Sequence, residues 1–359
     1  MLEKDDPSPF LDPAAVEVWD TWFRWREKGQ LRDISVEATW ERVARALAQA
    51  GTADFPNWLA RMIDAQARWQ VVFDGRILAG AGTRDFTWPG DPLAVLNAAS
   101  FVRAPFAADA RFDFESFRAA AELAVRGLDN ALLLHQGGKD SAFADLRVGM
   151  IGIADTLAMM GKHHDSASGR ELAGQIAKEL AHACLAANCD LAHDRGALPG
   201  AALGAVELSR QRGMPVALVE SAQRSGVRHR RVTAITSQPR LARLANDVAD
   251  ALDPIDRTDT HRDGTSATGG RIKRAGGYAC LVAKRGGAVA DAAIALIDSQ
   301  RKSSIAAQIS LRGAVQPWID APIDYPFRVA HAPDAQVTEQ LQQLAAANRL
   351  GDLTLAVDS

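Results

Sequence analysis

The alanine-rich segment 167–194 constrains the fold more than any other part of this sequence. Asp165 or Ser166 is placed to cap its start, and Gly196 follows its end, as in a single long α-helix. The sequence therefore predicts one helix that runs to about Asp194.

Shorter segments around it alternate between helical and extended patterns. Apolar spacing and capping residues predict helices at 16–26, 35–50, 112–135, 141–161, 201–212, 240–251 and 287–300. Other runs predict short strands at 71–73, 230–236, 278–283 and after the C-terminal glycine turn at Gly351. An Asp74-Gly75 turn is expected after the first of these strands. Helices dominate, which indicates a helix-rich α/β fold.

The tryptophans are concentrated in the first quarter of the chain, where seven of the eight lie: Trp19, Trp22, Trp25, Trp40, Trp58, Trp69 and Trp88. Helical spacing of Val16, Trp19 and Phe23 predicts a helix with an aromatic face. Such a face can pack in the core, which is the commoner use, or form a partner surface.

Charge and hydropathy exclude several classes of protein. With 41 Lys and Arg against 44 Asp and Glu, the net charge of −3 gives no general reason to bind nucleic acid or anionic membrane. No apolar run approaches the roughly 20 residues of a membrane-spanning helix, and the acidic, proline-containing start is unlike a secretory signal. Three cysteines cannot form a disulfide framework, so we expect a cytoplasmic protein.

Two groups of histidine and cysteine invite comparison with metal sites. His163 and His164 are adjacent, so on a helix their side chains point about 100° apart and cannot share an ion. His182, Cys189 and His193 lie on one predicted helical face, but no fourth ligand is evident. The sequence predicts no metal site.

Two further motifs resemble phosphate sites. Gly137-Gly-Lys-Asp-Ser141 lacks the first glycine and the Mg²⁺-binding hydroxyl of a Walker loop. The basic residues 271–274 lie in a polar, glycine-rich segment that predicts a solvated loop at about 256–277. Neither motif is assigned as a binding site.

The order of the segments resembles a known family. The stretch Arg147-Val-Gly-Met-Ile-Gly-Ile-Ala-Asp-Thr-Leu157, followed by Asp165-Ser166, is similar to an Arg-(Ile/Val)-Gly-x-x-Gly-x-(Ala/Gly)-Asp-x-Leu … Asp-Ser signature. That signature belongs to the large catalytic subunit of ribonucleotide reductases, most closely the adenosylcobalamin-dependent (class II) enzymes. Further collinear segments are 75–83, 101–106, 112–115, 125–130, 226–229, 231–254, 308–327 and the last ten residues. The resemblance covers most of the chain and is specific over 98–199.

The resemblance implies an α/β barrel, of which this chain would keep a reduced remnant. We expect an N-terminal helical, Trp-rich region at 1–84 and a barrel-like domain at 85–359. Since lost barrel strands would expose sheet edges, we also expect a homo-oligomer or an association with a ribonucleotide reductase chain.

Cysteine placement departs from the family. The resemblance implies a thiyl radical on one cysteine and reducing equivalents from a cysteine pair, yet no cysteine precedes Cys184. Cys184 and Cys189 are five residues apart in a predicted helix and project to different sides. Tyr278 and Tyr325 are not adjacent, so they cannot form the tyrosine relay of a class I enzyme. We assign no catalytic residue.

The segment aligned with the family's phosphate loop is also altered. Where the family reads Ala-Pro-Thr-Gly-Thr-Ile-Ser, this chain reads Thr236-Ser-Gln-Pro-Arg-Leu-Ala242. Pro239 replaces the glycine and removes an N–H donor, Gln238 replaces a hydroxyl, and Arg240 adds charge without a backbone cradle. We expect a degenerate phosphate loop formed by Thr236, Ser237, Gln238, Pro239 and Arg240.

The sequence thus predicts a ribonucleotide reductase-like protein without independent activity, a binding, regulatory or scaffold relative in deoxyribonucleotide metabolism. The alternative is a fragment of an adenosylcobalamin-dependent ribonucleoside-diphosphate reductase completed by another chain. The residues themselves assign no cofactor. The resemblance leaves adenosylcobalamin and nucleotides as ligands to test, with no nucleic-acid or membrane partner.

Overall fold

A computed structural model describes residues 9–50, 55–135, 145–255, 264–265, 271–272, 277–286, 290–300, 303–329 and 331–357. Within these ranges the helices are α1 (Pro13–Trp22), α2 (Val36–Ala48), α3 (Phe55–Ala67), α4 (Gly75–Gly80), α5 (Phe114–His135), α6 (Ile153–Met159), α7 (Ala167–Arg195), α8 (Ala202–Gln211), α9 (Val216–Ser225), α10 (Pro239–Leu244), α11 (Tyr278–Arg285), α12 (Ala290–Gln300), α13 (Ile305–Val315) and α14 (Ala335–Ala347). Short 3₁₀-helices lie at Ala98–Phe101 and Gln316–Trp318.

The strands are short. They are β1 (Arg26–Glu27), β2 (Gln30–Leu31), β3 (Val71–Phe73), β4 (Leu93–Asn97), β5 (Val102–Arg103), β6 (Arg111–Phe112), β7 (Arg147–Ile151), β8 (Gly264–Thr265), β9 (Arg271–Ile272), β10 (Phe327–Val329) and β11 (Leu355–Val357). The helix-rich α/β prediction is therefore confirmed, while the described strands do not close into a barrel.

The long helix forms as its capping residues predict. Ser166 Oγ accepts a hydrogen bond from Gly169 N at 3.0 Å, and Gly196, with φ of +92°, ends α7. Ser35 caps α2 in the same way, through Ala38 N. These two serine-capped helix starts were predicted from the sequence.

A three-stranded sheet lies at the centre of the molecule, in the order β3–β4–β7. β3 pairs with β4 antiparallel and β4 with β7 parallel, with Leu93 opposite Arg147 and Asn97 opposite Ile151. α5 packs on this sheet and α7 packs on α5. Every residue of β3, β4 and β7 except Arg147 is buried. The exposed-edge argument for a partner therefore does not apply to the central sheet.

One continuous hydrophobic core joins the N-terminal helices to this sheet. Trp19, Trp40, Trp58 and Trp69 are buried, so core packing is confirmed for these four. Trp22 differs, with 51% of its surface exposed. This core includes residues from both 1–84 and 85–359. The domain boundary that the sequence predicts at residue 84 therefore stays a prediction.

A small hydrophobic cluster lies at the C-terminal end. β10 and β11 pair in parallel, connected through α14, and pack with α13 around Ile309 and Leu341. The predicted C-terminal strand is confirmed as β11, where Ala356 and Val357 are exposed.

Three predicted elements differ from the structure. Residues 147–151, predicted as the entrance to a helix, form β7, and the helix is confined to α6. Residues 278–283, predicted as a strand, form α11. The Asp74-Gly75 turn is instead the start of α4, because Asp74 Oδ1 accepts from Arg76 N at 2.7 Å and caps a helix.

Two segments are shorter than predicted, and several helices were missed. The helix predicted at 240–251 ends at Leu244, since Asn246 and Asp247 have positive φ. The strand predicted at 230–236 makes a single bridge, between Thr233 and Val148. The helices α3, α9 and α14 were not predicted.

Two predictions concern residues that the structure does not describe. The Gly137–Ser141 motif and most of the loop at 256–277 lie outside the described residues. In the parts of the chain that the structure describes, no helix is both long and apolar enough to cross a membrane.

Candidate functional site

The predicted phosphate loop directly follows the segment that runs beside the central sheet. Ala234 N donates to Val148 O at 3.0 Å, which places the chain alongside β7 just before the loop. Residues 236–238 are half-buried, whereas Pro239 and Arg240 are exposed. Pro239 is the first residue of α10, and its ring nitrogen has no hydrogen to donate.

The carboxylate of Asp250 accepts hydrogen bonds from two successive residues of the loop. Ser237 Oγ donates to Oδ2 at 2.5 Å, and Gln238 N donates to Oδ1 at 2.7 Å. Burial raises the pKa of Asp250, although these bonds and the positive charge of Arg328 act in the opposite direction. Both donors of the loop are thus satisfied within the chain.

Thr236 is engaged as well. Its Oγ1 accepts from Gln238 Nε2 at 3.1 Å and from Arg147 Nη2 at 3.4 Å. Arg147 opens β7 and also reaches Asp91 at 3.3 Å. The loop is therefore tied to the first residue of the family-like signature.

Arg240, the cation of the loop, contacts the N-terminal helix α1. The Arg240 guanidinium lies 4.1 Å from the centre of the Trp22 ring. Nearby, Asn246 Oδ1 accepts from Leu11 N at 2.6 Å and Asn246 Nδ2 donates to Pro9 O at 3.2 Å. These contacts hold the segment before α1 and the end of α1 against the loop and α10.

All three thiols are buried and none forms a disulfide. Cys184 and Cys280 lie in the main core, whereas Cys189 lies in a separate cluster between α7, α8 and α9. Burial raises the pKa of Cys184 well above its usual range and that of Cys189 to about 11. Since the thiolate is the reactive form, neither thiol is set up for redox chemistry. The prediction that Cys184 and Cys189 face different sides is confirmed.

The strongest cluster of charges is one that sequence reasoning missed. Asp129 of α5 is fully buried and accepts from Arg228 Nε at 2.5 Å, from His229 Nε2 at 3.0 Å and from Arg195 Nη1. Burial alone would raise the pKa of Asp129, but these partners lower it to about 2. In the sequence, this cluster could have been recognised from an aspartate, Asp129, placed on an otherwise apolar face of the predicted helix.

Asn188 of α7 reinforces this cluster. Its Oδ1 accepts from the backbone N of Arg228 and His229, and its Nδ2 donates to His229 O at 2.9 Å. The cluster joins α5, α7 and the chain after α9. The hydrogen bonds of this cluster are made within the chain, so its role in the structure is to hold these segments together.

The signature residues have architectural roles. A Cβ at Gly149 would lie 2.7 Å from Ala234 O, and Gly152 has φ of +73° where α6 begins. Asp155 is fully buried and accepts from Ala249 N at 2.6 Å and Ala279 N at 2.9 Å. Burial raises the pKa of Asp155 to about 6. These residues fix neighbouring segments to the sheet.

The described histidines are placed apart from any metal site. His164 is buried between Ser303 Oγ (3.0 Å) and Leu252 O (3.1 Å). In the described ranges no group of three or more His, Cys, Asp or Glu side chains is placed to hold a metal ion.

The described residues do not fit adenosylcobalamin chemistry within a single chain. That cofactor supplies a radical that a neighbouring cysteine must accept, and the three thiols lie at 1%, 0% and 6% exposure inside packed helices. No step of a reaction is therefore assigned to it.

Part of the chain is similar to a known family of proteins. Residues 92–236 match the family model of the ribonucleotide reductase barrel domain. The match begins at the central sheet and ends at the first residue of the loop. This part of the chain is therefore similar to the ribonucleotide reductase barrel domain, although its described strands do not close into a barrel.

Two curated relatives are vitamin B12-dependent ribonucleoside-diphosphate reductases of Mycobacterium tuberculosis, from strains CDC 1551 / Oshkosh and ATCC 25618 / H37Rv. Each is 30% identical over 201 residues, covering 52% of this chain and 28% of the relative. The chain thus matches less than a third of each relative's length. It is a relative of the large subunit of class II ribonucleotide reductases.

Proposed function

We propose that the chain is a non-catalytic relative of class II ribonucleotide reductases that binds, regulates or scaffolds a component of deoxyribonucleotide metabolism in the cytoplasm. The observation that carries this proposal is the position of the thiols. A cysteine that serves as radical carrier or reductant must meet substrate or another thiol. Here Cys184, Cys189 and Cys280 lie inside packed helices, in two separate clusters.

The loop 236–240 supports the same proposal. Its donors are engaged by Asp250, Thr236 carries two internal partners, and Arg240 stacks on Trp22. A nucleotide phosphate would find the Ser237 hydroxyl and the Gln238 backbone N–H already engaged.

The experiment combines an activity assay with a ligand panel on the purified chain. We expect no deoxyribonucleotide product from ribonucleoside diphosphates, with or without adenosylcobalamin and dithiol. The same ligands, together with deoxyribonucleotides, are then tested by thermal shift. A ligand at about 100 times its Kd adds roughly 2.7 kcal/mol of apparent stability, enough to be observed. Product formed by this chain alone would overturn the proposal.

Association is the second part of the proposal. We propose that the chain forms a homo-oligomer or binds a ribonucleotide reductase chain through the surface around Trp22, which is exposed beside Arg240. Light scattering on the chain, alone and mixed with a class II reductase, should give a mass above the 38.4 kDa monomer. Trp22→Ala should weaken that association. A strict monomer in both samples contradicts this part alone.

The alternative function is that of a fragment completed by another chain. It is favoured by the coverage of the relatives, of which 72% is unmatched. Adenosylcobalamin-dependent activity that arises only when a second, cysteine-bearing chain is added would support the alternative over a regulatory role.

A further inference from the structure

We propose that Asp250 is an internal ligand of the loop 236–240, occupying with its own carboxylate the place that an external anion would take. The inference concerns the occupant of this loop, and it stands whether or not the chain regulates a reductase.

The first argument is the convergence of donors on one carboxylate. Ser237 Oγ and Gln238 N, from successive residues, reach the two different oxygens of Asp250 at 2.5 and 2.7 Å. A hydroxyl and a backbone N–H directed at two oxygens of one anion is the arrangement by which loops hold small oxyanions. Here the anion is supplied from within the chain.

The second argument is that Asp250 is held in place from both sides. Ala249 N donates to Asp155 Oδ2 at 2.6 Å, and Leu252 N donates to Tyr325 Oη at 3.0 Å. Gly152 N donates to Ala249 O at 2.8 Å. The backbone around Asp250 is therefore fixed by buried partners, which positions the carboxylate before any ligand arrives.

The third argument is electrostatic. A phosphate approaching Ser237 and Gln238 would have to replace the Asp250 carboxylate or lie against it, and like charges at contact distance repel. Arg240, the cation closest in sequence to these donors, is stacked on Trp22. The loop therefore favours the carboxylate that it already holds over an external phosphate.

The test removes the internal ligand and offers small anions in its place. Asp250→Ala leaves Ser237 and Gln238 without an acceptor in a space the size of a carboxylate. We expect the Tm to fall by roughly 5 °C and formate to restore at least half of that fall. Chloride at the same ionic strength should restore none of it.

Matched variants make the outcome specific. Asp324→Ala removes an exposed carboxylate and should respond to formate no more than wild type does. The double variant Ser237→Ala with Asp250→Ala lacks the hydroxyl donor and should lose most of the formate response. The wild-type chain should show no thermal shift with inorganic phosphate.

Two results would overturn the proposal. One is a phosphate-induced shift of wild type that Asp250→Ala does not change. The other is an Asp250→Ala variant as stable as wild type and indifferent to formate. If Asp250→Ala does not fold, Asp250→Asn serves instead: its amide oxygen still accepts from Gln238, so it should fold and show no formate response, and a response there counts against the proposal. None of these readouts depends on reductase activity, so failure here is separable from failure of the proposed function.

Discussion

Buried carboxylates join distant segments of this chain. Asp129 links α5 to the ends of α7 and α9, Asp155 links α6 to α11, and Asp250 links the chain after α10 to the loop before it. Each accepts at least two hydrogen bonds. An unsatisfied buried donor costs about 1–3 kcal/mol. Since each of these acids joins its own segment to another, its loss leaves donors unsatisfied and affects both segments.

Asp129→Asn should therefore be strongly destabilising. It removes the negative charge from the buried Asp129–Arg228 ion pair, and breaking such a pair costs about 3–5 kcal/mol. Urea unfolding measures the loss. Asp194→Asn is the control, since its pair with Arg126 is exposed and worth less than about 1 kcal/mol.

The effect of Asp129→Asn should also depend on pH. The folded-state pKa of Asp129, about 2, lies below its usual 3.8, so ionised Asp129 contributes stability above pH 4. That contribution, about 2 kcal/mol, is lost as pH falls from about 4 to 2. The difference between wild type and variant should shrink across that interval. A difference that stays constant from pH 6 to 2 would contradict the assigned role.

The candidate site was partly predictable at this scale. The missing N–H of Pro239 follows from the sequence, whereas the assignment of 236–240 as a phosphate loop stays a prediction. Asp250 could not, because its contact with Ser237 and Gln238 depends on the turn after Leu244 and on anchors as distant as Asp155 and Tyr325. No local pattern specifies such contacts.

At the scale of elements, two serine-capped helices and the buried strand β3 were predicted correctly, whereas other capped helices and buried apolar runs were not. Ser35 and Ser166 marked α2 and α7 correctly. β7 was predicted as helix because a strand buried on both faces has no alternation to distinguish it. α11 was predicted as strand, although a helix forms there with Asp155 accepting from its first turn.

Gly149→Ala tests the packing of β7. The added Cβ would lie 2.7 Å from the backbone oxygen of Ala234, so the chain before the loop must move away. We expect a loss of about 1–3 kcal/mol in urea unfolding. Gly204→Ala in α8, where nothing lies within 4 Å, should be neutral or stabilising by up to about 1 kcal/mol. Equal behaviour of the two variants would exclude a packing role for Gly149.

For the whole molecule, the shared core predicts how the thiols behave. Cys184 and Cys280 lie in the core that also holds Trp19 and Trp40, so they should become reactive only when that core opens. An Ellman titration of the native chain should show no fast-reacting thiol, and all three should react in guanidinium. A thiol that reacts rapidly in the native state would show that a cysteine is accessible to redox partners.

The contact between Asn246 and the segment before α1 sets an order of events during synthesis. Leu11 donates to a side chain 235 residues further along the chain. At roughly 5–20 residues per second, a ribosome needs roughly 10–50 s to supply that partner. Throughout that interval the segment before the first helix lacks its Asn246 partner, so we expect it to dock only after residue 246 has left the ribosome.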